Sequence, residues 1–298
     1  MSGTVFDIGY RNYTGVREGR WRGRRAVFKD GLRIALGIGR GGRAKVLPWL
    51  FLVVLSFIAT IMALVAGAVD RMNGPGAAEQ AGVPSHGDFY GIASIVVFVF
   101  ASVVAPELLC RDRREGTINL YLVRPITAVD YLASRWAAFL VVALAALWLP
   151  QLILLMGLAG GSPDPVAYLA GHWDDIPRFL AAGVAMALYA TTLAMLTASF
   201  TTRRAYASVF LVGLFVVTTP FTAGLSQEIG GSAGGWISMF NLTNIPVHVN
   251  DVIFGEPSEL TEDAPARIFG SARLVGWWVL WTVGAALWLW RRYRRLTP

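Results

Sequence analysis

The chain is poor in the residues on which most soluble enzymes depend. It has a single cysteine, Cys110, which excludes an internal disulfide framework and any metal site built from several thiolates. Its three histidines, His86, His172 and His248, fall in no H-x-x-x-H or related pattern. His172 beside Asp174 and Asp175 reads as a solvated polar turn in preference to a metal site. No G-x-x-x-x-G-K-[ST] stretch occurs, so the chain carries no phosphate-binding loop of that type. Gly37, Gly39 and Gly42 do spell G-x-G-x-x-G, but no strand precedes them and an apolar run follows almost at once, which removes the context of a dinucleotide site. Charge is scarce as well, at 15% of residues against about 25% in an average soluble domain. No cleavable signal is visible, because the first apolar run begins near Leu47, behind a long basic segment.

What the chain has in abundance is apolar length. Hydrophobic residues make up 55% of the sequence and the mean hydropathy is +0.53. Crossing the hydrocarbon of a bilayer takes about 20 apolar residues, and six runs supply them: 47–69, 89–110, 131–157, 179–200, 206–225 and 273–290. The expected fold is therefore an all-α membrane protein of six transmembrane helices. Eleven Trp and nine Tyr suit a protein with two water–lipid boundaries to anchor.

Lys and Arg set the orientation. With both termini inside, 22 of the 26 basic residues lie on the inner side, leaving only Arg71, Arg178, Arg267 and Arg273 outside. The acidic residues lean the other way, with Asp164, Asp174, Asp175, Asp251, Glu256, Glu259, Glu262 and Asp263 all outside. This divides the chain into a basic inner segment (1–46), a six-span domain (47–290) and a basic inner tail (291–298), and it puts all three histidines in outer loops.

The inner N-terminal segment carries eleven Lys or Arg. Within it Phe28, Leu32, Ala35 and Leu36 follow a helical spacing while Lys29, Asp30 and Arg33 take the other side, the pattern of an amphipathic helix lying on a membrane surface. A polybasic stretch beside a span is expected on the inner side, so the reading includes the bilayer as a partner and no nucleic acid. The longest outer connection, 226–271, is too apolar to sit loose in water and should dip into the membrane or pack on the helix ends. Asn241-Leu-Thr243 fits a glycosylation acceptor there. Glu107, near the inner end of the second run, is the one carboxylate inside a span's boundary. It is either a functional intramembrane group or one that snorkels to Arg111 or Arg114. Pro106 beside it is a candidate kink.

The stretch 111–131, RDRREGTINLYLVRPITAVDY, joins the second and third runs. It is charged at its front, apolar in its middle and closed by Pro125. It is too short to fold alone, and Leu120, Tyr121, Leu122 and Val123 need cover from the bilayer surface, another loop or a partner protein.

With its flanking spans this stretch resembles the cytoplasmic loop of type-2 ABC transporter permeases, in which a charged segment, a Gly-Thr pair, apolar residues and a Pro precede the next helix. The pair here is Gly116 and Thr117, preceded by Glu115 and followed by Leu120, Leu122 and Pro125. The whole chain is similar: an amphipathic helix before span one, six spans, and a long apolar outer segment before the last span and a basic tail. The charged segment departs from the pattern, reading Arg-Asp-Arg-Arg-Glu where many members carry Glu-Arg-Glu.

The resemblance implies a half-transporter whose loop forms a short coupling helix docked on a separate ATPase subunit. That contact would be made by Asp112, Arg113, Arg114, Glu115, Gly116, Thr117, Leu120, Tyr121 and Pro125. ATP and Mg would bind the partner ATPase, with no cofactor on this chain, and ATP-driven rocking of two permease copies, identical or related, in the cytoplasmic membrane would export a lipid-like or amphiphilic substrate. Span five offers an apolar pathway through Phe210, Phe215 and Thr219, with Glu107 a further candidate. Two rival classes remain at this stage: a structural or assembly subunit, and a membrane-embedded enzyme, which would need polar residues converging at one depth.

Overall fold

The computed structural model describes residues 19–39, 42–122, 126–255 and 265–295, and the side chains of these except 42–44, 119, 120, 122 and 265–269. Among the described residues the regular elements are helices: α1 (Arg20–Ala35), α2 (Gly42–Asn73), α3 (Ala77–Gln80), α4 (His86–Arg114), α5 (Thr117–Leu122), α6 (Ala128–Gly161), α7 (Pro165–Gly171), α8 (Asp175–Ala198), α9 (Arg204–Ile229), α10 (Gly231–Ser238), α11 (Ile245–Phe254) and α12 (Pro265–Arg294). Six are long and apolar enough to cross a membrane: Lys45–Asn73 of α2, all of α4, α6, α8 and α9, and Gly270–Arg294 of α12. The chain is thus a multi-pass membrane protein.

Each expected run lies within one of these helices, except that the fourth stops at Ala198, where Ser199 caps it. The helices outrun the apolar stretches because polar residues start and finish them. Ser85 and Asp88 form a capping box ahead of α4, Thr127 and Asp130 form another ahead of α6, and Asp164 caps α7, each supplying acceptors or donors to backbone groups that lack partners in the first turn. This early start moves His86 out of its expected loop and onto the first turn of α4. There it is buried, with Nδ1 2.6 Å from Gln151 Oε1 and its ring stacked on Phe179. α4 is assigned as one helix through Pro106.

The bundle is built around α4 and α8, whose apolar windows are the most enclosed, whereas α9 and α12 bury little of theirs. Small residues make that centre compact: Ala93, Ala101 and Ala105 of α4 and Ala182, Ala187, Ala190 and Ala194 of α8 are all buried. Two hydroxyls at this depth are satisfied locally, Ser102 donating to the Phe98 carbonyl and Thr191 to the Ala187 carbonyl.

α2 lies along α6 through a seam of small residues, Ala63 and Gly67 against Gly157 and Gly161. A Cβ placed on Gly157 would stand 2.5 Å from the Ala63 Cβ, and one on Gly161 would stand 3.1 Å from the Gly67 Cα. Between lipid-facing helices no hydrophobic force favours contact over lipid, so close backbone approach of this kind, with its dispersion energy, is what holds the pair.

At the end of the bundle away from α5, α10 and α11 fold back onto the long helices, with α11 against α4, α8 and α12. The indole of Trp277 donates to the Met239 carbonyl and Asn250 donates to the Gly87 carbonyl at 2.8 Å. Asn241, expected as a glycan acceptor, is 5% exposed. Its carboxamide oxygen accepts from the Thr243 hydroxyl at 2.6 Å and from the Thr219 hydroxyl at 3.2 Å, so the side chain is engaged within the fold. Asp174 and Asp175 both face Arg178, as suits a polar turn.

Candidate functional site

The site lies at the end of the bundle where α4 finishes, α6 begins and α1 crosses both. α4 ends on Glu115, and Gly116 follows at φ +69° with open space above its Cα. That left-handed residue is the usual way to stop a helix and redirect the chain. The six-residue α5 follows directly, packed on the end of α4.

Opposite it, α6 is anchored by its capping box. The Asp130 carboxylate accepts from the Thr127 N–H at 3.1 Å, and also from Arg20 Nε at 2.6 Å and Arg24 Nε at 2.8 Å. The side-chain hydrogen bond to Asp130, with its charge, raises the Arg20 pKa above its ordinary value. The first turns of α1 are thereby fastened to the first turn of α6. Farther along, α1 lies so close that a Cβ on Gly31 would meet the Ala138 Cβ at 2.8 Å.

One turn beyond Asp130 stands Arg135, fully buried. Its Nη2 donates to Asp112 Oδ2 of α4 at 2.7 Å, and its Nη1 is 2.8 Å from Asp30 Oδ2 of α1. The Tyr131 hydroxyl donates to the same Asp112 oxygen at 2.6 Å, and the Arg135 guanidinium lies over the Tyr131 ring at 5.4 Å. Thr117, first residue of α5, places its hydroxyl 3.2 Å from the Asp112 carbonyl and 3.4 Å from Oδ1. Tyr121 sets its ring 5.5 Å from that of Tyr131. One buried arginine therefore joins α1, α4 and α6, and the carboxylate it holds also reaches α5. A buried charge is tolerated only when paired and hydrogen-bonded. Arg135 is paired with both carboxylates and hydrogen-bonded through Nη2, while its Nε and Nη1 have no hydrogen-bond partner among the described residues. Its charge is therefore offset only while all these helices keep their places.

The residues singled out from the sequence are dispersed around this junction. Asp112 is turned inward and engaged by Arg135, Tyr131 and Thr117. Arg113 reaches sideways, donating through Nη1 to the Ser199 carbonyl at the end of α8, which also accepts from Arg292 Nε at 3.1 Å. Arg114 lines a shallow cleft with Thr202, Arg203 and Arg204. Glu115 pairs with Arg111 on the surface at 3.1 Å. Gly116, Thr117 and Tyr121 stand as above. The side chain of Leu120 and the whole of Pro125 lie outside the described residues.

Glu107 forms an ion pair with Arg204, at the start of α9, because that side of α4 faces the α8–α9 connection. Phe215 is buried, with its ring 4.4 Å from that of Phe98, and Thr219 is held by Asn241 and by Thr243 at 2.6 Å. Phe210 is exposed. The proposed pathway residues of α9 are thus split between the interior and the surface.

Sequence reasoning passed over Arg135, Asp30, Asp130 and Tyr131, the residues that hold the junction together. A signal was present: Arg135 sits a turn inside an apolar run, where an ionisable side chain demands a partner. Asp130→Ala is expected to release the N-terminal half of α1, removing the cap and both arginine contacts at once. Trypsin should then cut at Arg20, Arg22, Arg24 or Arg25 at least several-fold faster than in the parent protein, with the six spans left intact. An unchanged cleavage rate would mean that α1 is held by its packing alone.

In comparisons with known proteins, no family model matches the chain and no curated protein matches it significantly in sequence.

Proposed function

We propose that the chain is the membrane-spanning permease subunit of an ATP-driven ABC transporter, coupled through the segment 111–125 to a separate ATPase subunit. The observation that carries this reading is the mechanical continuity of the junction. A load on α5 enters α4 through Thr117 and Asp112, passes to α6 through Arg135 and Tyr131, and reaches α1 through Asp30. A short helix at the rim of a bundle with such connections is suited to transmitting movement from a docked partner. The arginine-rich end is cytoplasmic by the rule that basic residues gather there, so both termini face the cytoplasm, in the cytoplasmic membrane.

ATP and Mg belong to the partner, which draws two permeases together and apart. α9 leaves Val209, Phe210, Val216, Val217 and Phe221 uncovered, a surface suited to a second permease copy or to a lipid-like cargo moving between the copies. Phe215 and Thr219 are engaged within the chain, which leaves Phe210 as the pathway residue facing outward.

The test is purification of the tagged protein in mild detergent, with identification of what accompanies it and an ATPase assay. A nucleotide-binding subunit should co-purify with the parent protein. Leu120→Asp should release it, with elution volume and thermal unfolding unchanged. Gly116→Ala should weaken it by about tenfold, since an L residue held left-handed costs about 1–2 kcal/mol. Recovery of no nucleotide-binding protein, or one that stays bound to the Leu120→Asp variant, would overturn the proposal.

A further inference from the structure

The inward-facing end of α12 carries a feature that the coupling reading does not use. α12 and the end of α4 enclose a crevice of about 690 Å³, within the roughly 300–1,000 Å³ of small-molecule sites. Four guanidiniums line it, Arg113, Arg291, Arg292 and Arg295, and among the described residues no carboxylate does. Two of the four are fixed in place, since Arg113 and Arg292 both donate to the Ser199 carbonyl. Arg292 also lies over the Phe200 ring at 4.6 Å. Arg291 and Arg295 are exposed at the mouth.

Tyr293 forms part of the wall. It is 1% exposed, and its hydroxyl has no hydrogen-bond partner among the described residues. That hydroxyl is sealed from solvent, so Tyr293 closes the wall without offering a donor to the crevice. The rest of the wall is apolar: Leu287 and Trp288 are exposed to it, and Gly284, one turn farther along the helix, leaves open space above its Cα.

We propose that this crevice binds the phosphate of an anionic phospholipid, with the arginines on the headgroup and an acyl chain lying along Leu287 and Gly284. The chemistry calls for a phosphate, because arginine forks match its oxygens and several guanidiniums without a carboxylate favour a full negative charge. It calls for a lipid because the polar and apolar walls follow one another along a helix that crosses the bilayer, at the depth where headgroup gives way to chain. An excess of basic residues on one membrane face is general; a concave site where four guanidiniums converge beside an apolar wall is not. The proposal stands independently of any ATPase partner.

Native mass spectrometry of the whole protein, delipidated in mild detergent and titrated with phosphatidylglycerol or with phosphatidylcholine of the same chains, tests it. One phosphatidylglycerol per chain should bind at least tenfold more tightly than phosphatidylcholine. Arg291→Gln with Arg295→Gln should lose at least tenfold, whereas Tyr293→Phe, whose hydroxyl is sealed from the crevice, should change little. Arg25→Gln with Arg33→Gln, an equal loss of charge on α1, should change little. Equal binding of the two lipids, or an equal loss in the α1 variant, would overturn the proposal. So would inorganic phosphate occupying the site as tightly as the lipid, since the ligand would then be a soluble phosphate.

Discussion

Arg135→Met is expected to destabilise the protein by about 3–5 kcal/mol, the usual cost of breaking a buried ion pair from one side. The variant leaves Asp112 buried with only the Tyr131 and Thr117 hydroxyls for company, and it frees Asp30 and with it the second half of α1. Denaturation in detergent micelles, followed by tryptophan fluorescence, measures the loss. The informative companion is Arg135→Met combined with Asp112→Asn. This pair keeps an acceptor for Tyr131 and removes both charges from the interior, so it should recover most of the stability, to within about 1–2 kcal/mol of the parent protein.

Function and stability should then separate. In the double variant the charged link from Asp112 to α6 and α1 is gone, so under the proposed function ATP hydrolysis by the partner ATPase should lose its dependence on transported substrate while the complex stays assembled. A double variant as unstable as Arg135→Met alone would show that Asp112 is not the partner that matters.

Gly157→Leu should have an effect of similar size by a different route. Even a methyl group at this position stands 2.5 Å from the Ala63 Cβ, so a larger side chain must push α2 off α6. Overpacking of this kind costs about 1–3 kcal/mol in a tight core and more where backbone has to move. Detergent unfolding of Gly157→Leu, Gly157→Ala and the exchange Gly157→Ala with Ala63→Gly separates contact from propensity. The exchange moves the methyl across the seam and should restore stability to near that of the parent protein. A harmless Gly157→Leu would mean that α2 and α6 do not meet here in the membrane.

The six long helices were legible in the sequence because each is a continuous apolar run, and local composition is all such a signal needs. Their ends were less so, since Ser85, Thr127 and the Arg111–Arg114 turn extend them with residues that carry no hydropathy. The apolar face of α1 was legible, but not what it packs against. Phe28, Leu32, Ala35 and Leu36 were expected to face a lipid surface; Ala35 is buried and Leu32 and Leu36 pack against the core, with Val27 and Gly31 buried beside them. The expectation assumed a lipid surface that welcomes bulk; the partner is α6, and Gly31 permits its approach.

The charged junction was illegible for a further reason. Helical spacing relates a residue only to its own helix, so it offered Glu107 the arginines four and seven positions on and had nothing to say about Arg204. The pairing of Arg20 with Asp130 spans 110 residues, and that of Asp112 with Arg135 depends on how two helices lean together. What could have been read was the demand for a partner made by an arginine inside an apolar run, though not which aspartate would meet it.

The only thiol in the chain is sealed off. Cys110 is fully buried, with its sulfur directed at the Ala198 and Thr201 carbonyls, so water-soluble alkylating reagents should pass it by. The native protein is therefore already a background-free host for spectroscopic labels. Cysteines introduced in pairs, one at an exposed position of α1 such as Arg33 and one on α5, would carry spin or fluorescent probes whose separation reports directly whether the two helices travel together when nucleotide is added.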